Sequence, residues 1–354
     1  MGPFEFMTSA DVASAKTTAP ARPDLRAIAT PFERPSVSRA VWQIVNTFVP
    51  FALIWVAMYF SRQTSWWLTT PLAMLNGLFL VRIFIIFHDC GHGSFLASKK
   101  ANSIIGFFSG LLTFTPYHHW RWQHSVHHAT SGNLDARGMG DIWTMTVDEY
   151  LAATPKRRFT YRLVRNPLVL FVIGPLFLFV VWHRVPSAKA RPRERREVHL
   201  MSLSILLMAA ALSRVFGIRD YLIIQGIILL VGGGTGLWMF YVQHQFEDVY
   251  WEKDAGWSPT AAALEGSSFY KLPRVLQWFS GNIGFHHIHH LNSRIPNYNL
   301  ERCFLACPTF QEVKPITLLS SLKTIRLRLW DTRSRRMIGF SELKSYQVPG
   351  GARA

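Results

Sequence analysis

The sequence predicts an all-α polytopic membrane protein, with four transmembrane helices in two hairpins, interfacial or re-entrant helices beside them, and a cytoplasmic cap carrying clustered histidines. Three observations predict it. Only 17% of the 354 residues are charged and 49% are hydrophobic, whereas soluble domains carry nearer a quarter charged. Several uncharged runs reach the length of a bilayer crossing, about 20 residues. Most of the fourteen histidines fall into four short clusters, three of which repeat one spacing.

The first hairpin is Val41–Phe60 and Trp66–Phe87, joined by the short loop Ser61–Ser65; the second of these spans runs straight into His88. The second hairpin is His199–Phe216 and Tyr221–Tyr241, joined by Gly217–Asp220. Its last span carries Gly232, Gly233, Gly234 and Gly236, which lower helix propensity but permit close packing. Ile104–Tyr117 is too short to cross. Pro167–Trp182 is also short and is flanked on both sides by basic residues, from Lys156 to Arg165 before it and from Arg184 to Arg196 after it. Positive flanks mark the cytoplasmic side, so this segment enters and leaves on one face. Both termini and every histidine cluster then lie in the cytoplasm. One crossing more would put the clusters on opposite sides of the membrane.

The formal charge of +17 fits contact with anionic membrane lipid better than nucleic acid, because the basic residues flank apolar runs. Three cysteines, Cys90, Cys303 and Cys307, make no disulfide framework and no CxxC zinc pair. Residues 1–40, rich in Ala, Ser, Thr and Pro, are expected to be a disordered cytoplasmic segment. Residues 41–310 form the expected catalytic domain and residues 311–354 a cytoplasmic tail.

His88–His92 is an HxxxH box; His124, His127 and His128 form an HxxHH box; His286, His289 and His290 form a second one. On a helix, residues three and four apart are neighbours, so each box projects imidazoles together. His244, just past the fourth span, offers a ninth. Nine neutral ligands exceed the four a zinc ion takes and suit two ions with open positions, so the cap is expected to hold a di-metal site. Imidazole suits zinc, copper, iron and nickel, and no carboxylate-rich or Cys-rich set points elsewhere. Asp89, Asp141, Glu247, Asp248 and Asn282 are candidates to orient the imidazoles. His118, His119, His183, His199 and His287 are read as bystanders.

The strings HDCGHGSF from His88, QHSVHHATSGN from Gln123 and GNIGFHHIHHLNSRIPNYNL from Gly281 resemble the membrane fatty acid desaturase family over residues 40–310. The first box is most similar to the acyl-lipid type that makes Δ12 or ω6 double bonds, including its bacterial members. The resemblance implies two non-haem iron ions on His88, His92, His124, His127, His128, His286, His289 and His290, with His244 matching an extra ligand by position, and dioxygen as co-substrate. It implies an asparagine four residues before that histidine, where this chain has Phe240. The HPGG haem motif of fused desaturases is absent, so electrons are expected from a separate ferredoxin, or from a b-type cytochrome with its reductase. The implied activity is insertion of a cis double bond into an acyl-lipid or acyl-thioester chain at a bacterial inner membrane. Two alternatives stand beside it. One is a hydroxylase or ketolase on the same scaffold; the other is a metal transport or storage protein, against which the absence of Asp, Glu and His from mid-span positions argues.

Overall fold

The computed structural model describes residues 24–346. It is mostly helical, and four of its helices are long and apolar enough to cross a membrane: Val37–Ser61, Trp66–His92, Pro192–Phe216 and Ile218–His244. These are the four expected spans, each extended at its polar end. Ser36 and Ser65 cap the first two through their side-chain oxygens, satisfying backbone donors that the helix itself leaves free. The second span stops just after His92 because Gly93 takes φ +73°, where glycine meets no steric penalty; Gly93 and Ser94 N–H then close onto the Cys90 and Asp89 carbonyls.

Helices in lipid gain nothing from apolar burial against one another and associate through close packing instead. The second and fourth spans meet where Gly77 and Gly232 lie face to face. A Cβ on Gly232 would stand 2.9 Å from the Gly77 carbonyl oxygen, and one on Gly77 would stand 2.7 Å from the Val231 Cβ. Gly233 serves the next layer, lying against Pro175 and Phe179 of the segment between the hairpins.

That segment is built from Pro155–Val164 and Val169–Arg184, bent by 60° at the break. Its two ends come back to one face. Arg165, at the bend, donates to the Gln245 side chain beside His244 (2.8 Å), while Ser187 N–H, just past the far end, donates to His119 Nε2 (3.1 Å). The bend and the far end of the element thus both meet residues of the histidine face, an arrangement that fits the re-entrant path the basic flanks indicate. Lys99–Leu112 is a 14-residue helix packed beside the second span, not a crossing.

Two expectations change. Disorder was expected through residue 40, but residues 24–40 are ordered; residues 1–23 lie outside the described region. Asp24 caps a short helix, Leu25–Ala29, by accepting from Arg26 and Ala27 N–H. Ala29 is fully buried in the main core, Ile28 and Phe32 pack against it, and Asn299 donates to the Phe32 and Arg34 carbonyls. These few apolar residues in a Pro- and Ser-rich stretch find partners only in tertiary contact. Nor is the segment after residue 310 a tail, as far as residue 346. Leu329–Asp331 pairs in parallel with Met145–Thr146 and antiparallel with Arg336–Ile338, and Leu329, Trp330, Met337 and Ile338 are buried. A second small sheet pairs Phe269–Lys271 with Pro315–Thr317. These strands of two or three residues close the cap by long-range pairing.

Candidate metal centre

All nine histidines singled out in the sequence converge at one face of the helix bundle. Four elements deliver them. His88 and His92 end the second span, and His244 ends the fourth. His124, His127 and His128 lie on the helix Tyr117–Thr130. His286, His289 and His290 lie on the short helix His286–Leu291, which follows a tight turn in which Gly281 and Asn282 both take positive φ. The helix Tyr117–Thr130 is set by a buried carboxylate: Glu197 of the third span accepts from Tyr117 N–H (2.7 Å) and His119 N–H (3.4 Å), a favourable place for negative charge.

The ligand atoms form two adjoining groups, each within 4.8 Å internally. His88, His92, His124, His128 and His289 make the first; His127, His244 and His290 make the second. His286 adjoins the second group, with its Nε2 2.9 Å from the Nε2 of His244. Three further Nε2 pairs approach closely: His124 with His128 (3.2 Å), His128 with His289 (3.1 Å), and His127 with His244 (3.3 Å). Metal–imidazole bonds of about 2.0–2.1 Å put two nitrogens on one ion about 2.9–3.4 Å apart, so this spacing fits ligands sharing a cation.

Hydrogen bonding points the same way. Asp89 takes Nδ1 of His88 (3.0 Å) and is held in turn by the backbone and side-chain N–H of Asn297 (2.6 and 2.8 Å). Asp141 takes Nδ1 of His127 (2.8 Å), and the Gly266 carbonyl accepts from Nδ1 of His244 (3.2 Å). Each partner turns Nε2 inward and fixes the tautomer. The Nε2 atoms of His92 and His290 are buried without a hydrogen-bond partner, whereas buried polar atoms are normally paired. Burial, aided by the neighbouring imidazoles, pushes His124, His128, His286, His289 and His290 well below the ordinary histidine range. They are neutral at pH 7, the form that binds metal. The residues present therefore fit two metal ions.

Of the proposed orienting residues, Asp89 and Asp141 do so. Glu247 instead pairs with Arg336, and Asn282 bonds Gln277 and the Asn297 carbonyl. Asn297, the Gly266 carbonyl and Glu197 were not singled out. Each acts across a long sequence separation, and no local spacing announces it. The bystander histidines stand outside both groups: His118 meets Arg193, His119 accepts from Ser187, His287 donates to the Phe310 carbonyl, and His183 lies against Phe179.

Comparison with known proteins supplies the class of chemistry. The family model for fatty acid desaturases matches residues 65–312, which hold every histidine of the two groups. A fatty acid desaturase of Bacillus subtilis is 46% identical over 317 residues, 90% of each chain. An sn-1 oleoyl-lipid 12-desaturase of Synechocystis is 28% identical over 66% of this chain and 67% of its own length. An sn-2 acyl-lipid omega-3 desaturase (ferredoxin) of Arabidopsis thaliana is 29% identical over 71% of this chain and 55% of its own. Boxes, helices and matches agree: this membrane protein is an oxidoreductase of the fatty acid desaturase family.

Proposed function

We propose that the protein is an O2-dependent di-iron desaturase that inserts a cis double bond of the Δ12/ω6 type into the acyl chain of a membrane lipid. The observation carrying this reading is the pair of adjoining, carboxylate-oriented histidine groups at the membrane face of a desaturase-family chain. The nine ligands would be His88, His92, His124, His128 and His289 around one ion and His127, His244, His286 and His290 around the other.

Two iron ions bound there would supply the dioxygen activation needed to remove hydrogen from an unactivated C–H bond. The reaction balances as –CH2–CH2– plus O2, two electrons and two protons giving –CH=CH– and two waters. The chain itself keeps His124, His128, His286, His289 and His290 below the ordinary histidine range, orients His88, His127 and His244 through Asp89, Asp141 and Gly266, and buries or half-buries all nine, which limits access of bulk water. The Δ12/ω6 position is supported by the first box and by the 12-desaturase activity named for the Synechocystis relative. The ferredoxin in the name of the Arabidopsis relative supports a separate electron donor, a ferredoxin or a b-type cytochrome with its reductase. The basic flanks support a cytoplasmic histidine face with both termini on that side, and a bacterial inner membrane is the proposed location.

The test is expression in a host whose lipids are monounsaturated, followed by fatty acid profiling. New cis-dienes at the Δ12 position are expected. A double bond elsewhere would overturn the position alone. A hydroxylated chain would replace desaturation by oxygen insertion, and metal uptake without any altered lipid would replace the enzyme by a transporter or store.

A further inference from the structure

A cavity of about 370 Å³ lies between the first span and the short helix Arg274–Phe279. Its lining is polar and basic where apolar side chains would be expected next to a membrane helix. Arg39, Gln43 and Asn46 come from one face of the first span, four and three residues apart. Arg82 comes from the second span, six residues and so about 9 Å of helix before His88. Arg274 comes from the short helix and is paired with Glu301 (2.6 Å), leaving two of the three guanidinium charges without a carboxylate in the cavity wall.

Gln43 is the telling residue. It is 3% exposed, and neither end of its amide has a hydrogen-bond partner. A buried unpaired amide in a membrane helix is costly unless something else pairs with it. Arg82, by contrast, is held by Thr47 Oγ1 (3.0 Å) and lies over the Trp278 ring. The cavity wall is linked to the metal centre: Asn297 lines it and donates to Asp89, which holds His88.

We infer that this cavity receives the phosphate-bearing headgroup of the acyl lipid, an inference that rests on the acyl-lipid reading above. Its location selects a lipid over a water-borne thioester. Trp42, 67% exposed, and Trp278, 38% exposed, flank it, and such aromatic residues mark the membrane–water interface. Val41, Val45 and Val49 continue the exposed apolar face of the same helix. A ligand arriving sideways from the bilayer brings its acyl chain already in the membrane and its phosphate at the level of Arg39 and Arg274. The Gln43 amide then pairs with the headgroup ester or phosphate oxygens.

The experiment is native mass spectrometry of the full-length protein in an uncharged detergent. Dioleoylphosphatidylglycerol, dioleoylglycerol, oleoyl-CoA and inorganic phosphate are offered in turn. Wild type should retain phosphatidylglycerol, and Gln43→Leu and Arg274→Gln should each retain it about tenfold less well, as loss of a charge-assisted hydrogen bond predicts. Metal content should stay unchanged in both variants. Arg274 is 82% exposed at its side chain, so its variant keeps the fold even if Gln43→Leu does not. Equal retention of dioleoylglycerol, or unchanged retention in Arg274→Gln, would overturn the inference. Tighter binding of oleoyl-CoA would reassign the cavity to a nucleotide thioester, and displacement by an equal concentration of inorganic phosphate would make it a free-anion site. The binding readout is independent of turnover, so loss of headgroup selectivity and lack of desaturation are distinguishable failures.

Discussion

The two histidine groups are built from the same motifs but not in the same way. In the first, the i and i+4 histidines of the HxxxH box and of the second box stand together: His88 with His92, and His124 with His128. The second group takes its i and i+4 pair from the third box, with His290 inside it and His286 beside it. The i+3 histidine of each HxxHH box crosses over. His127 leaves its own pair for the second group, and His289 leaves its pair for the first. A step of 100° between consecutive helical residues explains the split: a doublet such as His127–His128 cannot face one ion, so it straddles two. What remains is unequal. The first group receives a further pair from the second span and has five imidazoles, while the second receives only His244 and, with the adjoining His286, has four. Their walls differ too. Trp120 stacks on His124 at 4.3 Å in the first, whereas Phe240 lies against both His127 and His244, at 5.2 and 5.1 Å, in the second.

The largest effect should come from breaking that inequality. His244→Ala leaves the second group with three imidazoles, and metal content should fall from about two ions per chain to about one, with turnover lost. His92→Ala leaves the first group with four, so both ions should persist at saturating metal while activity drops. Metal analysis of the two purified variants beside their fatty acid profiles reads this difference. Equal metal loss in both would show that the groups do not act as separate sites.

A smaller effect separates the supports. Asp141→Asn and Asp89→Asn each replace a carboxylate on a ligand Nδ1, a change that costs about 10–100-fold in metal affinity or activity in comparable sites. Asp89 is itself buried and held twice by Asn297, whereas Asp141 sits in a loop with one further contact, from Gly138 N–H. Asp89→Asn should therefore also lower thermal stability, by leaving the Asn297 donors poorly matched. Asp141→Asn should weaken metal binding with little change in the melting temperature of the metal-free protein.

Much of this was legible in the residues. Uncharged length located all four spans, and the basic segments around Pro167–Trp182 required a re-entrant element because the alternative separated the boxes. The nine histidines were legible because ligand spacing is local. Their assignment to two groups was not, since it depends on how four helices face one another. The supports were half legible: Asp89 adjoins His88 in sequence, but Asn297 and Gly266 reach the centre only through the fold. The ordering of Leu25–Ala29 left little local signal, because it packs into a core assembled from distant residues, and the strand at Leu329–Asp331, though paired with nearby Arg336–Ile338, is placed by its parallel pairing with Met145–Thr146.

The smallest effects belong to the doublet His118–His119, which precedes the second box and which spacing alone does not distinguish from it. His119 is buried and its Nε2 accepts the Ser187 N–H. Burial lowers its pKa from the ordinary 6.5, only partly opposed by Glu194. Because the folded protein holds this imidazole neutral, the unfolded chain binds more protons below pH 6.5. The His119 contribution to stability is thus full above that pH and is lost as pH falls toward the folded value. His119→Asn should cost about 1 kcal/mol of stability at pH 7.5, read as a lower melting temperature, and the gap to wild type should narrow as pH falls below 6.5. A gap that is constant with pH would mean that the Ser187 bond does not depend on a neutral ring. His118, half-buried and facing Arg193 at 3.3 Å, makes no such bond to the backbone. His118→Ala should stay within about 0.5 kcal/mol of wild type and retain both metal ions and full activity. Loss of metal there would extend the first group beyond its five imidazoles and break the comparison from which the two sites were distinguished.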